Sequence, residues 1–300
     1  MTNSILRKLG LNDRDRVVIF HADDIGMCHA SLAAYRDLID FGLISSAATM
    51  VPCAWFEETA VYCRENQATY PHIDMGVHLT LTSEWANFRW RPLTTLDPAS
   101  GLLDEAGYFH RTSQAVAEQA NKTAVQHEIN TQLDRALAAG IDVTHIDSHM
   151  GSIFAAPFLK DYIKLASENR LPALMLRQDE ASFRQRGFDQ ETIGVLLRQQ
   201  QALEASGFPI LDHITMMSLR EPEERLTQVK QAIDALPTGI SYFIIHPSTD
   251  TPELRAIAPD WRCRVGDYET FTSEAVRRYV ADSGVHVIGY RTLRNLMRKA

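Results

Sequence analysis

Three short stretches of the chain end in side chains able to hold a metal: His21-Ala22-Asp23-Asp24, Gly76-Val77-His78 and His145-Ile146-Asp147-Ser148-His149. Each follows an apolar run with the character of a buried strand, and a barrel or doubly wound sheet delivers such strand ends to one rim. Adjacent carboxylates are costly there, because like charges a few ångström apart push one pKa up unless a cation compensates. A metal is the simplest compensation. Asp24, His78 and His149 offer one carboxylate oxygen and two imidazole nitrogens and leave positions open for water and substrate, as catalytic zinc sites do. A divalent ion there would lower the pKa of its water toward about 7 and polarise a carbonyl oxygen, the requirements of amide or ester hydrolysis.

Other residues take supporting roles around that triad. Asp23, beside a ligand but not itself bound, is the expected general base. His145 and Asp147 are expected to back the ligands, since a metal-bound imidazole usually donates its other N–H to a carboxylate or carbonyl. His246 closes the apolar run Tyr242-Phe243-Ile244-Ile245, with Pro247 stopping the ladder, and is placed to protonate a leaving amine. Arg177, after Leu174-Met175-Leu176, is expected to orient Asp23 or a substrate oxygen through its fork of donors. Trp85 and Trp90 in an aromatic-rich connection are candidate stacking faces for a substrate, and His213, read as a strand end in Leu211-Asp212-His213, is a further candidate contact.

The elements that must position these groups alternate. Apolar runs predict strands over 17–21, 45–51, 75–81, 143–147, 173–177, 210–215, 241–246 and 285–289. Helical period is predicted over 31–41, 55–65, 114–139, 158–168, 191–206, 222–236 and 273–281, with a basic helix at the end. Strict alternation implies parallel strands joined by crossover helices. No Gly-x-Gly-x-x-Gly or Gly-x-x-x-x-Gly-Lys loop follows any strand, which removes the usual support for a nucleotide-binding open sheet. The expected fold is therefore α/β, an irregular (β/α) barrel of seven to eight parallel strands resembling a TIM barrel, in one domain over 1–300.

Composition narrows the partners. The 300 residues are 45% hydrophobic and 23% charged, enough for a large core, and such a barrel needs roughly 250 residues. Lys and Arg number 30 against 38 Asp and Glu, and the net charge of −8 argues against a nucleic-acid backbone as partner. There is no membrane-spanning apolar stretch, and the start lacks a signal-peptide core, so a cytoplasmic protein is expected. Four cysteines without a Cys-x-x-Cys pair are too sparse for a disulfide framework. A homodimer is allowed but unspecified.

Ala22-Asp23-Asp24 near the start, Gly76-Val77-His78-Leu79-Thr80-Leu81-Thr82, Thr144-His145-Ile146-Asp147-Ser148-His149 and the late His246-Pro247 occur in an order that resembles the YdjC-like carbohydrate deacetylases, the ChbG/HpnK family. The resemblance spans residues 19–294. It implies a metal-dependent deacetylase with an irregular β/α barrel acting on N-acetylated sugars. Asp24, His78 and His149 would be ligands, Asp23 the base and His246 the acid. His21 stands where the family commonly has Asn, and Met150-Gly151-Ser152 follow His149 where the chitooligosaccharide enzymes continue with histidines. These departures leave the triad intact and speak against chitin oligomers as the substrate. One divalent ion is expected: magnesium is often assigned in the family, while two imidazoles suit zinc or another transition metal better. The competing functions are a metal-dependent phosphoesterase or sugar isomerase on the same barrel, and an inactive barrel that binds a glycan.

Overall fold

The computed structural model describes residues 4–185 and 189–299. Among them, seven strands form one sheet: β1 (Arg16–Ile25), β2 (Ser46–Thr49), β3 (Met75–Leu79), β4 (Ile146–Ser148), β5 (His213–Met216), β6 (Gly239–Ile245) and β7 (His286–Val287). Every pairing is parallel, in the order β4-β3-β2-β1-β6-β5, with β7 on the lower half of β1. The sheet curls. Its open side between β4 and β5 is bridged by the 172–177 segment, where Leu174 N donates to the Ile146 carbonyl (3.0 Å) and Leu211 N to the Met175 carbonyl (2.9 Å). The chain is thus an α/β fold of the barrel type, and the strand expected over 173–177 is reduced to isolated bridges.

Alternation along the strands sorts side chains into two cores. Val17 and Ile19 of β1 and Ile240, Tyr242 and Ile244 of β6 face the barrel interior, which the Ser4–Lys8 helix plugs from below with Ile5 and Leu6. Val18, Phe20 and Ala22 of β1 and Phe243 and Ile245 of β6 face the outer helices. Phe20 and Phe243 meet Phe271 of the Trp261–Phe271 helix edge to face, with centroids 5.4 to 5.9 Å apart. The inward positions continue upward to His21 and Asp23 on β1 and to His246 beyond β6, so interior packing changes from apolar to polar at the strand C-termini.

Elements also depart from expectation. The long helix expected over 114–139 is two, Ser113–Gln119 and Lys122–Ala138, because Asn121 turns its amide oxygen onto Thr123 N (2.8 Å) and caps a new helix. Helices Pro252–Ile257 and Trp261–Phe271 were not anticipated. No helix among the described residues is long and apolar enough to cross a membrane.

Candidate metal centre

The site begins with an irregularity in β1. Successive residues on a strand point to opposite faces, which would separate Asp23 from Asp24. The register of β1 against β2 slips between Ala22 and Ile25, and Asp24 takes a left-handed φ of 62°. Such a bulge re-aims side chains, and Asp tolerates this region better than most residues. Both carboxylates consequently face His78: Asp24 Oδ1 lies 3.4 Å and Asp23 Oδ2 3.8 Å from its Nε2.

β3 and β4 bring the imidazoles. Their register sets His78 beside Asp147, and His78 Nδ1 pairs with Asp147 Oδ1 at 2.7 Å. Asp147 Oδ2 accepts from the Tyr242 hydroxyl (2.8 Å) and lies 3.1 Å from His21 Nε2, which is also 3.1 Å from Asp23 Oδ1. His149 follows β4 directly, where Met150 and Gly151 both adopt positive φ and turn the chain sharply. Its Nδ1 lies 3.0 Å from Asp24 Oδ1 and its Nε2 3.0 Å from Glu84. Gly76, one inward position below His78, gives its space to His145; a Cβ there would lie 2.6 Å from the His145 ring nitrogens. His145 stacks on Tyr290 with centroids 4.0 Å apart, below the rim rather than against a ligand.

Donor atoms of Asp24, His78 and His149 lie within 4.8 Å of one another, and all three side chains are buried. Two overlapping sets, His21-His145-Asp147 and Asp23-His78-Asp147, are equally close. The first of these is sealed inside the barrel, and in the second Asp147 already receives the Tyr242 hydroxyl and the His78 ring.

The charges fit a divalent ion. Asp23, Asp24, Asp147 and the largely buried Glu84 converge, and among the described residues Arg264 is the only Lys or Arg paired with any of them, through Asp24 Oδ2 at 2.8 Å. That excess of negative charge shifts the neighbouring groups. Burial opposes ionisation of Asp24, but the His149 and Arg264 cations outweigh it and hold its carboxyl well below the usual range. Burial likewise pulls His149 down, yet the Glu84 and Asp24 carboxylates raise it to about 9. Burial is overcome in the same way at His78, raised well above its ordinary value by Asp147 and Asp23. One carboxylate and two imidazoles in a pocket short of cations is a donor set suited to Zn²⁺ or a neighbouring transition ion.

The other expected residues fall in three places. His246 is above β6 beside Asp23, with Nε2 3.8 Å from Asp23 Oδ2, and its backbone N–H donates to Asp267 Oδ2 at 2.9 Å. Trp85 and Trp90 are each 5% exposed. Trp90 meets His149 edge to face at 6.1 Å, so the indoles wall the site and do not form an open stacking face. Besides the places of His145 and of the two indoles, two further expectations are corrected. Arg177 does not orient Asp23: its guanidinium pairs with Asp212 (3.0 Å) and with Glu204, which hold it in the bridge between β4 and β5. His213 begins β5 rather than ending a strand, and its Nε2 reaches the Thr238 carbonyl (3.0 Å) at the opposite end of the barrel from His246.

Sequence reading missed Glu84, Arg264, Tyr242 and Asp267. Arg264 serves Asp24 as Arg177 was expected to serve Asp23, and also bonds Asp260 and lies over the Trp85 ring at 5.2 Å. No local pattern distinguishes it, since Trp261-Arg262-Cys263-Arg264 neither ends an apolar strand run nor shows ligand spacing. Tyr242 was recoverable, because its parity on β6 matches that of His246.

A profile of the YdjC-like protein family matches residues 17–282, a span that holds every rim residue described above. A carbohydrate deacetylase of Thermus thermophilus is 34% identical over 297 residues, 98% of this chain and 99% of the relative. A carbohydrate deacetylase of Thermoanaerobacter pseudethanolicus is 21% identical over 279 residues, 93% and 100% of the two chains. Among solved structures, one from Enterococcus faecalis, named for cellobiose-phosphate cleavage, superposes with a TM-score of 0.70 at 22% identity, covering 93% of this chain and 99% of that one. With the profile spanning the whole rim and a relative matching from end to end, the chain belongs to the YdjC-like family.

Proposed function

We propose that this chain is a metal-dependent hydrolase that removes the acetyl group from an N-acetylated sugar. The observation that carries the reading is the placing of Asp23: its Oδ2 lies 3.8 Å from both His78 and His246, between a candidate ligand and a candidate acid. The deacetylase names of relatives that match nearly the full length support the substrate class. Asp24, His78 and His149 would hold the ion, and the chemistry it supplies when bound is polarisation of the amide carbonyl and acidification of water.

The chain's own residues supply the proton movements. Asp23 takes a proton from the attacking water, whose oxygen adds to the acetyl carbon. His21, 3.1 Å from Asp23 Oδ1, keeps the other oxygen of the base turned toward the rim. His246, fixed at its backbone by Asp267, delivers a proton to the amide nitrogen as the C–N bond breaks, giving acetate and the free amine. Trp85, Trp90 and Arg264 close the wall behind His149 and Asp24 and limit water there.

The test is acetate release from a panel of N-acetylglucosamine-containing sugars. Turnover should require metal, vanish with chelator and return on adding the ion. Equal glycan binding with and without metal, and no acetate across the panel, would favour a binding barrel instead.

A further inference from the structure

We infer that Glu84 is a positioning residue for the metal centre: it takes the Nε2 proton of His149 and so presents the Nδ1 lone pair of that ring to the ion. The inference rests on the proposal that Asp24, His78 and His149 bind a metal. Each candidate imidazole has one nitrogen toward Asp24 and the other on a carboxylate, but in opposite senses. His78 turns Nε2 to Asp24 (3.4 Å) and Nδ1 to Asp147 (2.7 Å), whereas His149 turns Nδ1 to Asp24 (3.0 Å) and Nε2 to Glu84 (3.0 and 3.2 Å). A metal-bound imidazole is oriented by what its second nitrogen donates to. Asp147 does this for His78, and among the described residues Glu84 does it for His149.

Glu84 is built for that role rather than caught there. Its backbone carbonyl accepts from Arg111 (3.1 Å), and so does that of Trp85 (2.9 Å). On the other side Ser83 N donates to the His110 carbonyl (2.8 Å), and Ser83 Oγ accepts from Arg89 (3.1 Å) and from Trp90 N (3.0 Å). The backbone is therefore clamped on both sides of the glutamate, and only about a fifth of its side chain is exposed (18%). The connection after β3 contributes a carboxylate to the site as well as its aromatic wall.

The experiment loads the full chain with Zn²⁺ alone and reads two quantities. One is the ¹⁵N histidine spectrum, with His149 assigned by its loss in His149→Gln. The other is Zn²⁺ affinity by chelator competition in wild type, Glu84→Gln and Glu84→Ala, with unfolding of the metal-free proteins as a control on folding. The expected spectrum has Nδ1 of His149 metallated and Nε2 protonated. Affinity should fall about 10- to 100-fold in Glu84→Ala and less in Glu84→Gln, whose amide oxygen still accepts. Affinities within about twofold of wild type in both variants, or a metallated Nε2, overturn the inference. So do equal losses in the two variants with a lower coordination number by X-ray absorption, which would make Glu84 a ligand. Zn²⁺ bound nowhere near His149 overturns this and the metal reading together. Zn²⁺ on Nδ1 without acetate release leaves the positioning role standing and defeats the deacetylase reading alone.

Discussion

Asp147→Asn is the most instructive single change, because one carboxylate receives three groups. Its Oδ1 takes the His78 ring at 2.7 Å, and its Oδ2 takes the Tyr242 hydroxyl at 2.8 Å and faces His21 at 3.1 Å. Asparagine keeps one acceptor oxygen. If that oxygen stays on His78, the bond passes from charge-assisted, worth about 1.5–3 kcal/mol, to neutral, worth about 0.5–1.5 kcal/mol. The loss of roughly 1–2 kcal/mol corresponds to about 5- to 30-fold in metal affinity at constant fold. The new amide donors then face Tyr242 and His21. Tyr242 can rotate its proton and accept, but His21 can accept only through an unprotonated Nε2, and among the described residues neither of its ring nitrogens has a well-aligned hydrogen-bond partner. A buried donor left unmatched costs a further ~1–3 kcal/mol of stability. The assay is Zn²⁺ affinity by chelator competition beside urea unfolding of the metal-free protein. Both quantities should drop. Unchanged metal affinity in a folded Asp147→Asn protein would refute the view that Asp147 orients His78.

Other outcomes follow from the same geometry. Asp23→Asn should lower kcat by about 10²- to 10⁴-fold, roughly 3–5 kcal/mol, while bound metal is retained; a preserved rate would remove Asp23 as base. Because His149 is held up to about 9 without metal, it carries a proton near neutral pH that binding must displace. Zn²⁺ affinity should therefore rise with pH up to about 9, and calorimetry in buffers of different ionisation enthalpy should show proton release; pH-independent binding would contradict it. The raised His149 also stabilises the metal-free fold fully below its unfolded value of 6.5, a contribution lost as pH climbs through about 9. Gly76→Ala should destabilise by about 1–3 kcal/mol, since a Cβ would enter the His145 ring, and a melting temperature equal to wild type would show that the ring moves freely.

The rim was legible because it depends on two regularities: period-2 burial marks the strands, and parallel strands share one C-terminal edge. His78 and the His145-Ile146-Asp147-Ser148-His149 run needed nothing more to be placed together. Asp23 and Asp24 needed the bulge, and a register slip with one positive φ has no signature in residue types. Long-range partners were illegible for another reason. Arg264 stands 240 residues from Asp24, and only the docking of the Trp261–Phe271 helix selects it over Arg177, whose run also ends in an arginine. His213 was misplaced because β5 begins at it rather than ending near it, which puts its side chain at the end of the barrel away from the rim.

The central claim is that one divalent ion is held by Asp24, His78 and His149. Anomalous difference density from crystals grown with Zn²⁺, collected on either side of its absorption edge, reads this directly. A peak within coordination distance of all three side chains is the predicted result. Density inside the barrel at His21, His145 and Asp147, or none near the rim while Zn²⁺ binds in solution, would contradict it.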